Sequence, residues 1–148
     1  MKPQEFRRLY AIPYDIAKRQ KRIERLENMQ ADGPQAASDV VRASRGEGNA
    51  CVIGHVTVTG TTDAAYNQRA EEIRRLKRIN RLQSSLYNTG VHMVEDCDDP
   101  ALRAMLSAVC VEGKKPQAVA VELSELGFDV DAEAIRQRVR RWIQKNVG

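Results

Sequence analysis

Apolar residues return at intervals of three and four over two long stretches of the chain and three short ones, and the rhythm lapses between them. In the first long stretch Leu9, Ile12, Ile16, Ile23 and Leu26 share one side, with Lys18, Arg19, Lys21, Arg22 and Arg25 between them. The spacing predicts an amphipathic basic helix from about Pro13 to Met29, Pro13 suiting its first turn, with a short turn ahead of it. Gly33 and Pro34 must end it, because Pro34 biases its predecessor toward extended backbone. The second stretch, capped by Thr62 or Asp63, runs to about Tyr87 and closes at Asn88-Thr-Gly90. Tyr66, Ile73, Leu76, Ile79, Leu82 and Leu86 form its apolar side, flanked by Arg74, Arg75, Lys77, Arg78 and Arg81. Asn80 and Gln83 interrupt a strict heptad, which favours a hairpin or bundle over a long independent coiled coil.

Between the two stretches no helical period survives. The run Cys51-Val-Ile-Gly-His-Val-Thr-Val-Thr59 is dominated by β-branched residues and ends at Gly60, so it reads as a strand, the second arm of a hairpin if the chain turns near Gly46-Glu-Gly48. Such a hairpin is marginal in water unless it packs on something.

The last third is punctuated by Pro and Gly. Acids at 95–99 followed by Pro100 suit a helix entry, and the helix Pro100–Val111 would bury Leu102, Met105, Leu106, Val109 and Cys110 before Gly113 stops it. Pro116 opens a second short helix with Val119, Ala120, Leu123 and Leu126 facing inward, and Gly127 ends it. A third starts near Asp131 and carries the apolar stripe Ile135, Val139, Trp142 and Ile143. The expected fold is mainly α. Residues 1–93 make two long helices, paired antiparallel or bundled with other copies, with a linker strand near 51–59. Residues 94–148 make a trihelical helix-turn-helix module.

Composition sharpens this picture. Aromatic residues are 5% and charged residues 30% of the 148, so large core-filling side chains are scarce and helix formers plentiful. The net charge of +4 is a weak pointer by itself, but residues 94–133 sum to −7 while 134–148 carry five cations and no side-chain anion. A helix that reads DNA needs one apolar face for docking and an opposite face rich in Arg, Lys or Gln. The last helix has both. Arg136, Gln137 and Arg140, toward its N-terminal half, are the candidates for base contact, and Arg138, Arg141 and Lys145 for phosphate contact. Lys114 and Lys115, just ahead of the preceding helix, are further phosphate candidates. The competing explanation is a solvated helix end, since cations near a C-terminus are favoured by the helix dipole and their stems cover apolar surface. The connection from Gly127 to Asp131 is longer than a tight helix-turn-helix turn.

Set in order, the basic helix, Ser38-Asp-Val-Val-Arg-Ala-Ser44 leading to His55-Val-Thr-Val-Thr-Gly60, a charged helix, Asp98-Asp-Pro-Ala-Leu-Arg103 and Ala134-Ile-Arg-Gln-Arg-Val-Arg-Arg-Trp-Ile143 resemble phage transcriptional regulators of the RinA/ArpU type. Those proteins are similar in their C-terminal part to region 4 of sigma factors. The resemblance runs from about residue 13 onward and implies a sequence-specific DNA-binding regulator of phage or prophage genes, with double-stranded DNA and host RNA polymerase as partners. Self-association through the N-terminal helices is expected. Two other readings of the same residues are a small terminase-like packaging or architectural DNA-binding protein and a helical adaptor that binds no DNA.

Other chemistry finds less footing. Cys51, His55, His92 and Cys97 include zinc-ligand types, but Cys51 and His55 on one strand would stand about 13 Å apart. Gly46-Glu-Gly48 lacks the Lys-Ser/Thr pair of a phosphate loop, and no Ser or Cys has an evident base partner, so neither an enzyme nor a cofactor is expected. The odd number of cysteines, the absence of a signal-peptide core in Met1–Tyr14 and the lack of any stretch of roughly 18 apolar residues point to a cytoplasmic protein with no membrane partner.

Overall fold

The computed structural model describes the backbone of residues 1–31, 33, 36–45, 52–61 and 63–148, and the side chains of 1–31, 33 and 64–148. The protein is mainly helical. A short helix α1 (Pro3–Phe6) leads into α2 (Ala11–Gln30), followed by strands β1 (Ala36–Arg45) and β2 (Val52–Thr61) and the 33-residue helix α3 (Asp63–Glu95). Helix α4 (Pro100–Leu106) continues into a π-helical turn (Ser107–Val111), and α5 (Pro116–Glu125) and α6 (Ala132–Asn146) complete the chain. The strands pair antiparallel, Ala36 opposite Thr61 and Arg45 opposite Val52. The expected turn near Gly46 and cap at Thr62 lie outside the described residues, as does Cys51. Among the described residues no helix is long and apolar enough to cross a membrane.

Contacts divide the chain into two units, residues 1–21 with 78–148, and residues 22–77. This division differs from the boundary expected between residues 93 and 94, and the reason lies in the first turns of the chain. Phe6, Leu9 and Ile12 join the same apolar cluster as Val94, Met105, Leu106, Cys110, Val119, Leu123, Ile135, Val139 and Ile143. Phe6, Leu9, Met105, Leu106, Ile135 and Ile143 have no exposed surface. The Phe6 ring lies 5.4 Å from that of Trp142 at 40°, and the Tyr10 amide donates to the Cys110 carbonyl at 2.9 Å. Three helices in fewer than 50 residues hold too little apolar surface for a stable core, and the N-terminal segment adds what they lack.

Helix α3 also departs from expectation. It does not stop at Gly90 but runs on to Glu95. Gly90 is a close-approach position: a Cβ there would sit 2.5 Å from Cδ1 of the buried Leu9. We expect Gly90→Val to destabilise this unit by about 1–3 kcal/mol through overpacking. Urea unfolding measures the change, and an undiminished midpoint would remove the close contact as the reason for glycine.

Helix ends in this unit are set by local hydrogen bonds. Asp99 Oδ1 accepts from the amides of Ala101 at 3.0 Å and Leu102 at 3.3 Å, capping α4. The Arg103 guanidinium donates twice to the Cys97 carbonyl, at 2.9 and 2.7 Å, tying α4 back to the turn before it. The π-helical turn, with Glu112 N donating to Ser107 O at 2.9 Å, was not signalled by the apolar spacing. Gly113 follows at φ 72°, against the Tyr10 ring. Asp131 Oδ1 accepts from Ala134 N at 2.6 Å and starts α6. Two residues of the expected apolar faces are exposed, Leu82 of α3 at 63% and Leu126 at 72%. For Leu126 the reason is local: it sits at the C-cap of α5, where the helical spiral ends and Gly127 turns the chain at φ 88°, and Val130 packs on the core in its place.

In the same unit Arg19 of α2 donates to Asn80 Oδ1 at 3.1 Å and Gln83 Oε1 at 2.7 Å of α3. The buried Asn80 Nδ2 has no partner among the described residues. In the other unit Ile23 is fully buried. Ion pairs join Arg22 to Glu72 and Glu27 to Lys77, and Gln30 Nε2 donates to the Tyr66 carbonyl at 2.8 Å.

Candidate nucleic-acid interface

Helix α6 sorts its side chains by the helical period. Ile135 and Ile143 are fully buried and Val139 is 6% exposed, whereas Arg136, Gln137, Arg138, Arg140, Arg141 and Lys145 are all exposed. The period of 3.6 residues places 135, 139 and 143 on one stripe, so the cations between them cannot turn inward without unseating the core. Trp142, partly buried against Phe6, belongs to the packing and not to the cationic face.

The cations differ in what already engages them. Arg136 Nη1 donates to Glu133 Oε2 at 3.1 Å, one turn before it. Arg141 reaches Gln137 Oε1 at 3.5 Å, a marginal contact. No ion pair within the described residues involves Arg138, Arg140 or Lys145. The surface pair at Arg136 is worth roughly 0.3–0.5 kcal/mol, so Glu133 orients that guanidinium without tying it up.

Lys114 and Lys115 part company. Lys114 Nζ lies 2.8 Å from Glu112 Oε2 and 3.0 Å from Glu122 Oε1, a cation shared by two carboxylates. Its hydrogen bonds to Glu112 first and to Glu122 next raise its ammonium above the usual lysine range. That arrangement ties the residue after Gly113 to α5, and it leaves Lys114 poorly placed to give its charge to a phosphate. Lys115 is exposed at the N-cap of α5 and supplies that helix no side-chain cap.

One residue that the sequence did not single out shares this region. Arg7, just past α1, lines a cavity of about 410 Å³ together with Arg136, Gln137 and Arg140, so docking the N-terminal segment brings a further cation to the N-terminal half of α6. Only its place beside Phe6 carried a signal, and that signal required knowing that Phe6 is core. Arg138, Arg141 and Lys145 do not line the cavity, so the two groups distinguished by helical position are also separated by surface shape.

Cys110 also lines the cavity, and burial pushes its thiol up to about 11 despite the opposing charge of Arg7. The thiolate that nucleophilic or metal chemistry requires is therefore disfavoured there. Cys97 is buried, and His92 is exposed with Nδ1 3.1 Å from Glu95 Oε2. No cluster of three or more His, Cys, Asp or Glu suited to a metal occurs among the described residues, and the side chain of His55 lies outside them. No protein-family model, no curated protein and no solved structure matches the chain.

Proposed function

We propose that this protein is a sequence-specific DNA-binding regulator of phage or prophage genes, with α5, the connection 126–131 and α6 acting as an enlarged helix-turn-helix. The observation that carries the reading is the segregation on α6: its apolar stripe is consumed by the core while Arg136, Gln137, Arg138, Arg140, Arg141 and Lys145 are left to solvent. A solvated helix end explains cations in the last turn, where the dipole favours them. It does not explain Arg136 one turn from the N-terminus of α6, where a cation opposes the dipole, nor Arg7 converging on it from another part of the chain.

In this reading Arg136, Gln137 and Arg140 read base edges in the major groove, and Arg138, Arg141, Lys145 and Lys115 hold phosphates. Helices α2 and α3 form antiparallel arms, registered by Arg19 on Asn80 and Gln83, and serve self-association or contact with host RNA polymerase.

Binding to duplex DNA across a salt series tests the proposal. Affinity is expected to fall steeply with salt, and Arg138→Ala is expected to reduce the slope of log K against log salt by about one while weakening all sequences alike. Absence of binding at low salt would overturn the reading in favour of an adaptor.

A further inference from the structure

The cavity beside α6 has the dimensions of a small-molecule site: its volume of about 410 Å³ lies within the usual range of roughly 300–1,000 Å³. Its lining is divided by chemistry. Three exposed cationic residues, Arg7, Arg136 and Arg140, line it, and the buried Cys110 and Val139, with the half-buried Val109, contribute an apolar floor. One carboxylate, Glu133, also lines it and is already paired with Arg136 at 3.1 Å. Three cations against one anion leave an excess of two positive charges. The floor adds no negative charge near neutrality, because burial holds the Cys110 thiol protonated.

A carboxylate is satisfied by one forked guanidinium, whereas a phosphate monoester offers three oxygens and a charge of about −1.5 to −2, which matches both the number of guanidinium groups and the excess charge. A DNA backbone phosphate is a monoanion on a convex ridge with no apolar body to lay over Val109 and Val139. We propose that this cavity binds a small phosphate monoester with an apolar body, its phosphoryl group held by Arg7, Arg136 and Arg140 and its carbon skeleton resting on Val109, Cys110 and Val139. Occupancy would withdraw Arg136 and Arg140 from base contact, so the ligand and DNA exclude one another. That second half rests on the DNA-binding reading; the site itself does not.

The test uses the full chain, phenyl phosphate as the probe and inorganic phosphate as its headgroup control, at fixed ionic strength. Phenyl phosphate is expected to shift the backbone amide resonances of Val109, Cys110 and Val139 saturably at millimolar concentration, and inorganic phosphate to bind at least about tenfold more weakly for want of the ring. Arg7→Ala should weaken phenyl phosphate by about tenfold or more, the loss of a charge-assisted hydrogen bond, with the unfolding transition retained. Arg7→Gln, which keeps a long polar side chain, should weaken it similarly if the first variant misfolds. Equal affinity for phenyl phosphate and inorganic phosphate, or unchanged affinity in both Arg7 variants, would overturn the proposed site. A duplex competition separates the two claims. Displacement of DNA by phenyl phosphate supports mutual exclusion, and DNA binding undisturbed at probe saturation refutes it while leaving the site. Saturable probe binding by a chain that binds no DNA would reject the DNA-binding reading and keep the cavity.

Discussion

Replacing Arg136 and Arg140 together by alanine is expected to weaken binding to a cognate duplex by roughly 2–6 kcal/mol, at least about thirtyfold, since a base contact by Arg carries about 1–3 kcal/mol of discrimination. Both side chains are exposed and both positions lie between the buried residues Ile135, Val139 and Ile143, so the core loses nothing. Alanine is the best helix former, and the only described ion pair removed is that of Arg136 with Glu133. Helicity by circular dichroism should therefore match the parent chain. Affinity for a non-cognate duplex should fall less than affinity for the cognate one, because base contacts specify and phosphate contacts only position. Equal affinity of the double variant and the parent for a cognate site, measured at the same salt, would reject this face of α6 as the reading surface.

The second large effect is expected far from the cations in sequence. Phe6→Ala should destabilise the unit containing α4 to α6 by about 3–5 kcal/mol, the usual loss for a buried aromatic residue. Phe6 is fully buried, packs on Trp142 and belongs to the same cluster as Met105, Ile135 and Ile143. The neighbouring Arg8 is exposed, so Arg8→Ala should change stability by no more than about 0.5 kcal/mol. Urea unfolding followed by Trp142 fluorescence distinguishes the two substitutions. Equal midpoints would mean that the N-terminal turns are an appendage and not part of the core.

The starts of α4 and α5 at Pro100 and Pro116, and the breaks at Gly113 and Gly127, were legible because proline and glycine act locally. So were the buried positions of α6, because one helical period relates them. Three features lay beyond such signals. Gly90 resembles a helix stop, yet its role is set by Leu9, a residue remote in sequence. Phe6 precedes the first long apolar stripe and Leu9 opens it, and nothing nearby says which core they complete. Leu126 keeps the apolar spacing of α5 by one residue more than the helix lasts, and it is left exposed where the chain turns away at Gly127. At the candidate interface, charge and period separated Arg136, Gln137 and Arg140 from Arg138, Arg141 and Lys145, but neither could reveal Arg7 beside the first group or the two carboxylates around Lys114.

The contact of Phe6 with Trp142 also has a bearing on synthesis. The two rings are remote in sequence, so the core that supports α6 cannot close until α6 itself has been made. Contacts of such long sequence separation slow folding, and they leave the early apolar turns waiting while the rest is made. A product that ends before α6 would leave Phe6 without the Trp142 ring that packs on it, a species suited to recognition by chaperones and proteases. Phe6 gains its aromatic partner only once α6 is present, so the seating of Phe6 serves as a check that the arginine-bearing helix has been made.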